Sequence, residues 1–369
     1  MADFSPYLKL QPNENAYALH AKTYKDPHFL ALEQKAIFEN SWQLVGHISE
    51  LPSIGDQITT KIGNIPIVIV RNSKNELTAL HNVCRHRAGP LTVKNCNSSV
   101  LRCKYHGWTY DLNGILKSAP EMQSTSNFNV EDIRLPKAHL DTWQNFVFVA
   151  INKPTITLQA YFQGVSKQIG PIDLTSMTFS HRDKYIVECN WKAYMDNYLE
   201  GYHLPHVHPG LSKLLDYRNY DTQLYEWYSY QFSPLDNAEN NNADIFYGEG
   251  SAHYYCMFPN LMLNILPGRL QTNTIIPIDH NKTEIIFDYY YSDIDSERTQ
   301  KLIKQDQEFS DEVQQEDIRI CEQVQVGLNS GSYQAGPLCM KRETGVLHFQ
   351  NLIRKTVSRC QPTENDDDV

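Results

Sequence analysis

Apolar positions recur along this chain with two different periods, and the change of period divides it. Within residues 27–40, Phe29, Leu30, Leu32, Ile37 and Phe38 stand among charged side chains, which predicts a short amphipathic helix. From Gln57 onward the pattern is that of strands. Residues 57–62 and 65–70 flank Gly63-Asn64, where a glycine can supply a positive φ, so a tight hairpin is predicted. Residues 77–81, 100–104, 108–110 and 145–151 read as further strands, with a turn at 111–114 and a boundary at Lys153-Pro154. Beyond it, a strand at 185–189 and a helix at 191–204 precede a hairpin of 272–278 and 284–291. A long helix follows over 296–328, its apolar positions including Leu302, Phe309, Val313, Ile320 and Val324. The polar run 236–244 is too poor in apolar groups to pack and reads as a surface loop, and the acidic tail 361–369 as disordered. No internal repeat is found.

Length and composition narrow the classes. At 369 residues the chain fits two domains, or one with a second inserted. With 41% hydrophobic and 21% charged residues it is an ordinary globular protein. A net charge of −10 argues against a nucleic-acid partner, because phosphate binding needs a basic surface. The longest apolar run, 65–70, falls far short of the ~18 residues that cross a bilayer, and no secretory signal is recognisable at the start, so a cytoplasmic protein with no membrane partner is expected. Eight cysteines in such a chain are sparse for a disulfide scaffold and point to metal binding or plain burial.

Two clusters carry the chemistry. Cys84, His86, Cys103 and His106 form C-x-H, a sixteen-residue spacer, then C-x-x-H. Each pair fits one tight loop, and the two loops can clasp a centre from opposite sides. Thiolates and imidazoles in equal number suit either tetrahedral zinc or a 2Fe-2S cluster with two cysteines on one iron and two histidines on the other, and spacing alone leaves both open. The other cysteines, Cys96, Cys189, Cys256, Cys321, Cys339 and Cys360, show no ligand spacing.

The second cluster lies in NWKAYMDNYLEGYHLPHVHPG, where Asn197, Glu200, His203 and His208 are spaced N-x-x-E-x-x-H-x-x-x-x-H. On a helix, steps of three put Asn197, Glu200 and His203 on one face, and a kink or break at Pro205 is needed to return His208 to His203. Two histidines and one carboxylate with open positions make the facial triad of non-haem iron enzymes that handle O2. Asp317 on the long helix is the chosen carboxylate, with Glu316 beside it as competitor, and His206 is taken as structural.

The sequences CRHRAGPL and CKYHGW resemble the Rieske ferredoxin motif, and the order of motifs from about Trp42 to Phe349 resembles the Rieske non-haem iron oxygenase α subunits. That resemblance implies an α+β chain in which a small antiparallel β Rieske domain is inserted into a helix-on-antiparallel-sheet (helix-grip, START-like) catalytic domain. The expected segments are 1–40, helical and packed on the catalytic domain; 41–151, the Rieske domain; 152–360, the mononuclear iron domain; and the tail. It implies a 2Fe-2S cluster on Cys84, His86, Cys103 and His106, and Fe(II) on His203, His208 and Asp317. It also implies a homotrimer in which His106 faces Glu200 of the adjacent subunit, with Glu200 hydrogen-bonded to His203 and Asn197 beside it. The family more often has Asp at that bridging place. Glu is similar to the choline monooxygenase and carnitine oxygenase branch, and Asp196 competes for the role.

The activity so implied is O2-dependent hydroxylation or oxidative dealkylation of a small organic molecule, mono- or dioxygenation. Neither a dinucleotide fingerprint nor a plant-type ferredoxin spacing is found in the chain, so the electrons must come from an NAD(P)H-linked reductase of flavin or ferredoxin type. A quaternary ammonium substrate, an aromatic ring, and a non-catalytic zinc or electron-carrier protein are the three readings. The 22 tyrosines, among them Tyr225, Tyr228, Tyr230, Tyr254, Tyr255 and Tyr289–Tyr291 together with Trp227, offer faces for a cation, though alternation along strands would turn only half toward any pocket.

Overall fold

The computed structural model describes residues 3–170, 172–213, 221–236 and 249–360; most of the polar run and all of the tail lie outside them. The chain divides into two compact units, Phe38–Gln163 and, from Met1–Ile37 with Gly164–Val369, the remainder. The first interrupts the second in sequence, giving the α+β arrangement of an inserted β domain and a helix-on-sheet domain.

In the inserted unit, seven strands run Gln43–His47, Phe146–Ala150, Lys137–Trp143, Leu77–His81, Ile65–Arg71, Asp56–Ile62 and Cys96–Asn97 across one sheet. The predicted hairpin closes with Ile62 opposite Ile65, and Gly63 takes φ +56° in its turn. Strand Ile65–Arg71 is buried on both faces. Ile67 and Ile69 pack with Leu51, Ile58 and Val147, while Val68 and Val70 pack with Leu80, Leu101 and Trp108. This explains the unbroken apolar run, since a strand covered twice has no reason to alternate. A small sheet of Leu101–Arg102, Thr109–Tyr110 and Leu116–Ser118 holds the second Cys-His loop. The unit runs on to Gln163 because Trp42 donates to Ile156 O at 3.1 Å and Phe162 stacks on Trp143 with ring centroids 4.0 Å apart.

The other unit is an antiparallel sheet of Thr178–Val187, Lys282–Tyr291, Arg269–Asp279, Leu261–Leu266, Glu249–Met257, Tyr228–Asp236 and Asp221–Leu224, in that spatial order. Its helices, in chain order and with the linking helix between, are α1 (Lys22–Lys25), α2 (Pro27–Ala36), α3 (Leu158–Gln168), α4 (Trp191–Tyr198), α5 (Leu204–Val207), α6 (Glu297–Asn329) and α7 (Thr344–Ser358). Helix α6 is pinned along the sheet by polar ties. Arg269 and Tyr291 both bond Asp306, at 2.5 and 2.7 Å, and Tyr289 meets Ser310 at 2.7 Å.

The N-terminal segment docks on α4 through a fully buried ion pair. Lys192 Nζ lies 2.8 Å from Glu33 Oε1, neither side chain exposed, and Trp191 Nε1 donates to Glu33 Oε2 at 3.0 Å. Burial pushes the lysine down and the glutamate up from their ordinary pKa values, so each depends on the other for its charge. Lys192→Met would strand the carboxylate, a change that costs about 3–5 kcal/mol when one partner of a buried pair is removed. Urea unfolding of the purified protein should show a loss of that size.

Candidate metal centres and active site

Cys84 and His86 lie on one loop, Cys103 and His106 on another. Each loop closes on itself: Cys84 N–H donates to Gly89 O at 2.9 Å and Ala88 N–H to Cys84 O at 3.0 Å, while Cys103 N–H donates to Trp108 O at 2.9 Å and Gly107 N–H to Cys103 O at 3.0 Å. Gly107, at φ +77°, makes the second turn in a region an L side chain rarely enters. Both cysteines are buried, and both histidines are exposed, their rings 4.6 Å apart. Trp108 stacks beneath His86 at 4.8 Å, and Tyr110 Oη lies 3.4 Å from Cys84 Sγ. Burial raises the Cys103 thiol pKa, as does the neighbouring Cys84, against the N–H groups of Tyr105 and His106 that favour its thiolate.

These loops fit a two-iron cluster better than one zinc ion. A tetrahedral zinc with bonds of ~2.0–2.3 Å would draw all four donor atoms within about 4 Å of each other. Among the described residues, the set whose ligand atoms lie within 4.8 Å of one another is His203, His208 and Asp317, and no three of the Cys-His donors do so. Thiols pair with each other, and imidazoles with each other, as two separate irons require. The space beside them is reserved at Gly89, where a Cβ would stand 2.9 Å from Cys103 Sγ.

The second centre is built where α4 stops. The expected helix over 191–204 ends at Tyr198, so the break falls before His203 and not at Pro205. Glu200 causes it: its carboxylate accepts from the N–H groups of Tyr202 and His203, the latter at 3.1 Å, satisfying donors that start the next turn. Pro205 sits in the first turn of α5, where a missing N–H costs nothing. His208, 1% exposed, then swings back to His203 with ring centroids 5.1 Å apart. His206 is exposed and stands away from the site.

Each imidazole uses its two nitrogens differently. His203 Nδ1 bonds Glu200 Oε1 at 2.6 Å, and its Nε2 faces Asp317 Oδ1 at 3.9 Å. His208 Nδ1 bonds Glu316 Oε2 at 2.7 Å, and its Nε2 meets Asp317 Oδ1 at 2.9 Å. Asn197 Nδ2 donates to the same Asp317 oxygen at 2.6 Å. So both Nε2 atoms converge on Asp317, while Glu200 and Glu316 grip the far nitrogens, the arrangement that orients metal-ligating histidines. Burial would depress the His208 pKa, but Asp317 and Glu316 outweigh it and raise it. The pocket therefore favours positive charge, as a site for a divalent cation must.

Asp196, the alternative bridge, points elsewhere. It is half-buried, accepts from Tyr24 Oη at 2.6 Å and from Gln350 Nε2 at 3.1 Å, and desolvation pushes its pKa up to about 7. Between the ordinary aspartate pKa and 7 the folded chain keeps a proton that the unfolded chain has released, so this group makes stability fall as pH rises through that window. Asp196→Asn should flatten that fall when denaturant midpoints at pH 5 and pH 8 are compared with those of the parent protein.

A cavity of about 130 Å3 opens on the triad. Tyr194, Tyr198, Tyr254, Phe287 and Phe309 form its aromatic walls, and Asn264, Gln271, Asn273, Ser310 and Gln314 its polar ones. Of the tyrosines singled out from the sequence, Tyr254 is among them. Tyr225 and Tyr228 instead stack on each other at 4.5 Å, and Tyr289–Tyr291 are buried in the sheet. Tyr194, three residues before Asn197, could have been found from its place one turn along the same helix face.

Residues 174–359 match the family model of the ring hydroxylating alpha subunit (catalytic domain), and residues 41–133 that of the Rieske [2Fe-2S] domain. The chain belongs to the Rieske non-haem iron oxygenases. This oxygenase is 32% identical over 367 residues to the chloroplastic choline monooxygenase of Arabidopsis thaliana, covering 96% of this chain and 85% of that one. It is 27% identical over 370 residues to the carnitine monooxygenase oxygenase subunit of Escherichia coli (strain K12), covering 96% and 98%. The fold is shared with a quaternary ammonium Rieske monooxygenase solved with L-carnitine, at TM-score 0.81, 24% identity and coverage of 94% and 99%. It is also shared with naphthalene 1,2-dioxygenase from Rhodococcus sp., at TM-score 0.73, 16% identity and coverage of 94% and 95%. The oxygenase thus carries a Rieske cluster and a mononuclear iron and acts on a small molecule; no helix among the described residues is long and apolar enough to cross a membrane.

Proposed function

We propose that this oxygenase is a monooxygenase of quaternary ammonium compounds, hydroxylating a C–H bond next to nitrogen. The observation that carries the reading is the aromatic cavity beside the triad, in a chain akin to enzymes named for choline and carnitine. Five aromatic rings can face an alkylammonium group, each contact contributing about 0.5–2 kcal/mol according to desolvation. Among the described lining residues there is no lysine or arginine to repel it.

In this reading Cys84 and Cys103 hold one iron of the cluster and His86 and His106 the other. His203, His208 and Asp317 hold Fe(II). When bound, the cluster supplies single electrons and the mononuclear iron a centre for reductive activation of O2. The residues do the rest. Glu316 and Glu200 fix the two imidazoles by their Nδ1 atoms, and Asn197 holds Asp317. Glu200, at the partly exposed break after α4, is the link on which His106 of the partner subunit docks in a homotrimer. The aromatic walls exclude water from the reacting C–H bond. One oxygen atom enters that bond and the other leaves as water, with two protons and two electrons that a separate NAD(P)H-linked reductase delivers.

An aromatic hydrocarbon is a poorer fit, because an uncharged ring gains nothing from the cation–π attraction that the aromatic walls offer. Reductase-coupled O2 consumption should rise with choline or carnitine and not with simple aromatic acids. Stimulation by an aromatic acid alone, with its hydroxylated product, would overturn the assignment.

A further inference from the structure

Tyrosines that turn away from the cavity form a second constellation. Strands Tyr228–Asp236 and Glu249–Met257 pair with Tyr230 directly opposite Tyr255, and alternation puts Tyr228 and His253 on that same face. Tyr255 stacks on Tyr230 with ring centroids 4.8 Å apart and planes inclined by 15°. It also lies 6.1 Å from Tyr228, which stacks on Tyr225 at 4.5 Å. At each end a phenol proton has somewhere to go. Tyr230 Oη lies 2.8 Å from His253 Nδ1, and burial lowers the histidine pKa, so the ring stays neutral and able to accept. Tyr225 is partly exposed to water and donates to Gln223 Oε1 at 2.9 Å.

The stack reaches the iron site through the strand that carries it. Tyr254, next in the chain to Tyr255, lines the cavity and packs with Tyr198. Tyr198 Oη lies 3.4 Å from Tyr255 O, and Asn197 beside it donates to Asp317. Room is made for the phenol oxygens as well as for the rings. A Cβ on Gly164, inside α3, would overlap Tyr228 Oη, so the helix gives up a side chain there to admit the hydroxyl, at about 0.5–1 kcal/mol relative to alanine.

We infer that Tyr198, Tyr254 and Tyr255, with Tyr230 and its partner His253, form a redox relay that supplies electrons to the iron site when O2 is consumed without a C–H bond in place, and so protects that site. The inference needs iron at His203, His208 and Asp317 and is indifferent to the substrate. In coupled turnover O2 takes two electrons from the reductase and two from the C–H bond. Without that bond, two tyrosines supply the second pair. Tyr230 gives one electron through Tyr255 and Tyr254, and its phenol proton passes to His253 Nδ1, within the reach that proton transfer requires. Tyr225 gives the other through Tyr228 and Tyr255, and its proton passes to water. Both oxygen atoms then leave as water with protons from solvent, and two tyrosyl radicals remain for a thiol or ascorbate-type reductant to restore. A phenol yields an electron readily only as its proton departs, so His253 makes Tyr230 the place where oxidation comes to rest.

The test exposes the iron-loaded, pre-reduced holoenzyme to O2 with no organic substrate and follows it by freeze-quench EPR. A tyrosyl signal should appear, and its hyperfine splitting should change when the protein carries ring-deuterated tyrosine. Tyr230→Phe, which removes a single oxygen atom, should remove one of the two radicals with the cluster spectrum and iron content unchanged. Tyr255→Phe, at the branch, should remove both. Each variant should consume O2 for fewer cycles than the parent before its iron is lost. Hydroxyls that serve only packing would leave the signal as it is in the parent. Asp317→Ala, once shown to lack iron, should give no radical. No tyrosyl signal from the parent, the same signal at the same yield in Tyr230→Phe and Tyr255→Phe, or an undiminished signal from iron-free Asp317→Ala would each overturn the relay. Iron retained by Asp317→Ala would overturn the metal assignment instead, and the two tyrosine variants would still decide the relay.

Discussion

Asp317→Ala is expected to lose the mononuclear iron and all product formation while the Rieske cluster keeps its visible spectrum and reduced-state EPR signal. The reasoning is that Asp317 is the point on which both Nε2 atoms converge, at 2.9 and 3.9 Å, so its removal leaves two imidazoles with no anionic donor between them. His203→Ala should behave alike. Glu316→Ala is the informative control. Its carboxylate touches His208 only at Nδ1, so iron should still bind, with affinity reduced about 10- to 100-fold, the range for partners that orient a metal-ligating histidine. Iron titration with cluster absorbance as internal standard separates the two outcomes. Equal iron loss from Glu316→Ala and Asp317→Ala would remove the distinction between ligand and orienting group, and loss of the cluster from either would contradict two independent centres.

Glu200→Gln should keep both metals and slow electron delivery. Glu200 does two things at once: its carboxylate accepts the N–H groups of Tyr202 and His203, and it holds His203 Nδ1 at 2.6 Å. Glutamine retains an oxygen for the backbone but has no charge with which to polarise the imidazole or meet a partner histidine. Reoxidation of the pre-reduced cluster in a single turnover, followed by stopped-flow absorbance, should slow about 10- to 100-fold. A rate equal to the parent's, with both metals present, would eliminate Glu200 as the bridge.

The site also shows where linear spacing misleads. Reading Asn197, Glu200 and His203 as one helix face assumed a continuous helix, and the chain instead turns at Glu200 because that side chain satisfies the N–H groups of the next turn better than another helical residue would. Pro205, which looked like the breaker, begins a turn. The competition between Glu316 and Asp317 was undecidable along the chain for a related reason. Neighbours on a helix differ by about 100° in direction, and here both reach the same ring, one at each nitrogen.

The local patterns were enough for the rest. Ligand chemistry, the two Cys-His loops, the hairpins and the long helix were legible in the chain because each depends on residues a few positions apart: turn glycines, alternation, and donors brought together by one loop. The inward face of every other group was settled by packing. That holds for Asp196, turned to Tyr24 and Gln350, and for the tyrosines that stack away from the cavity. Rotation of a side chain about its own element is visible only against the elements that cover it, which lie far away in sequence.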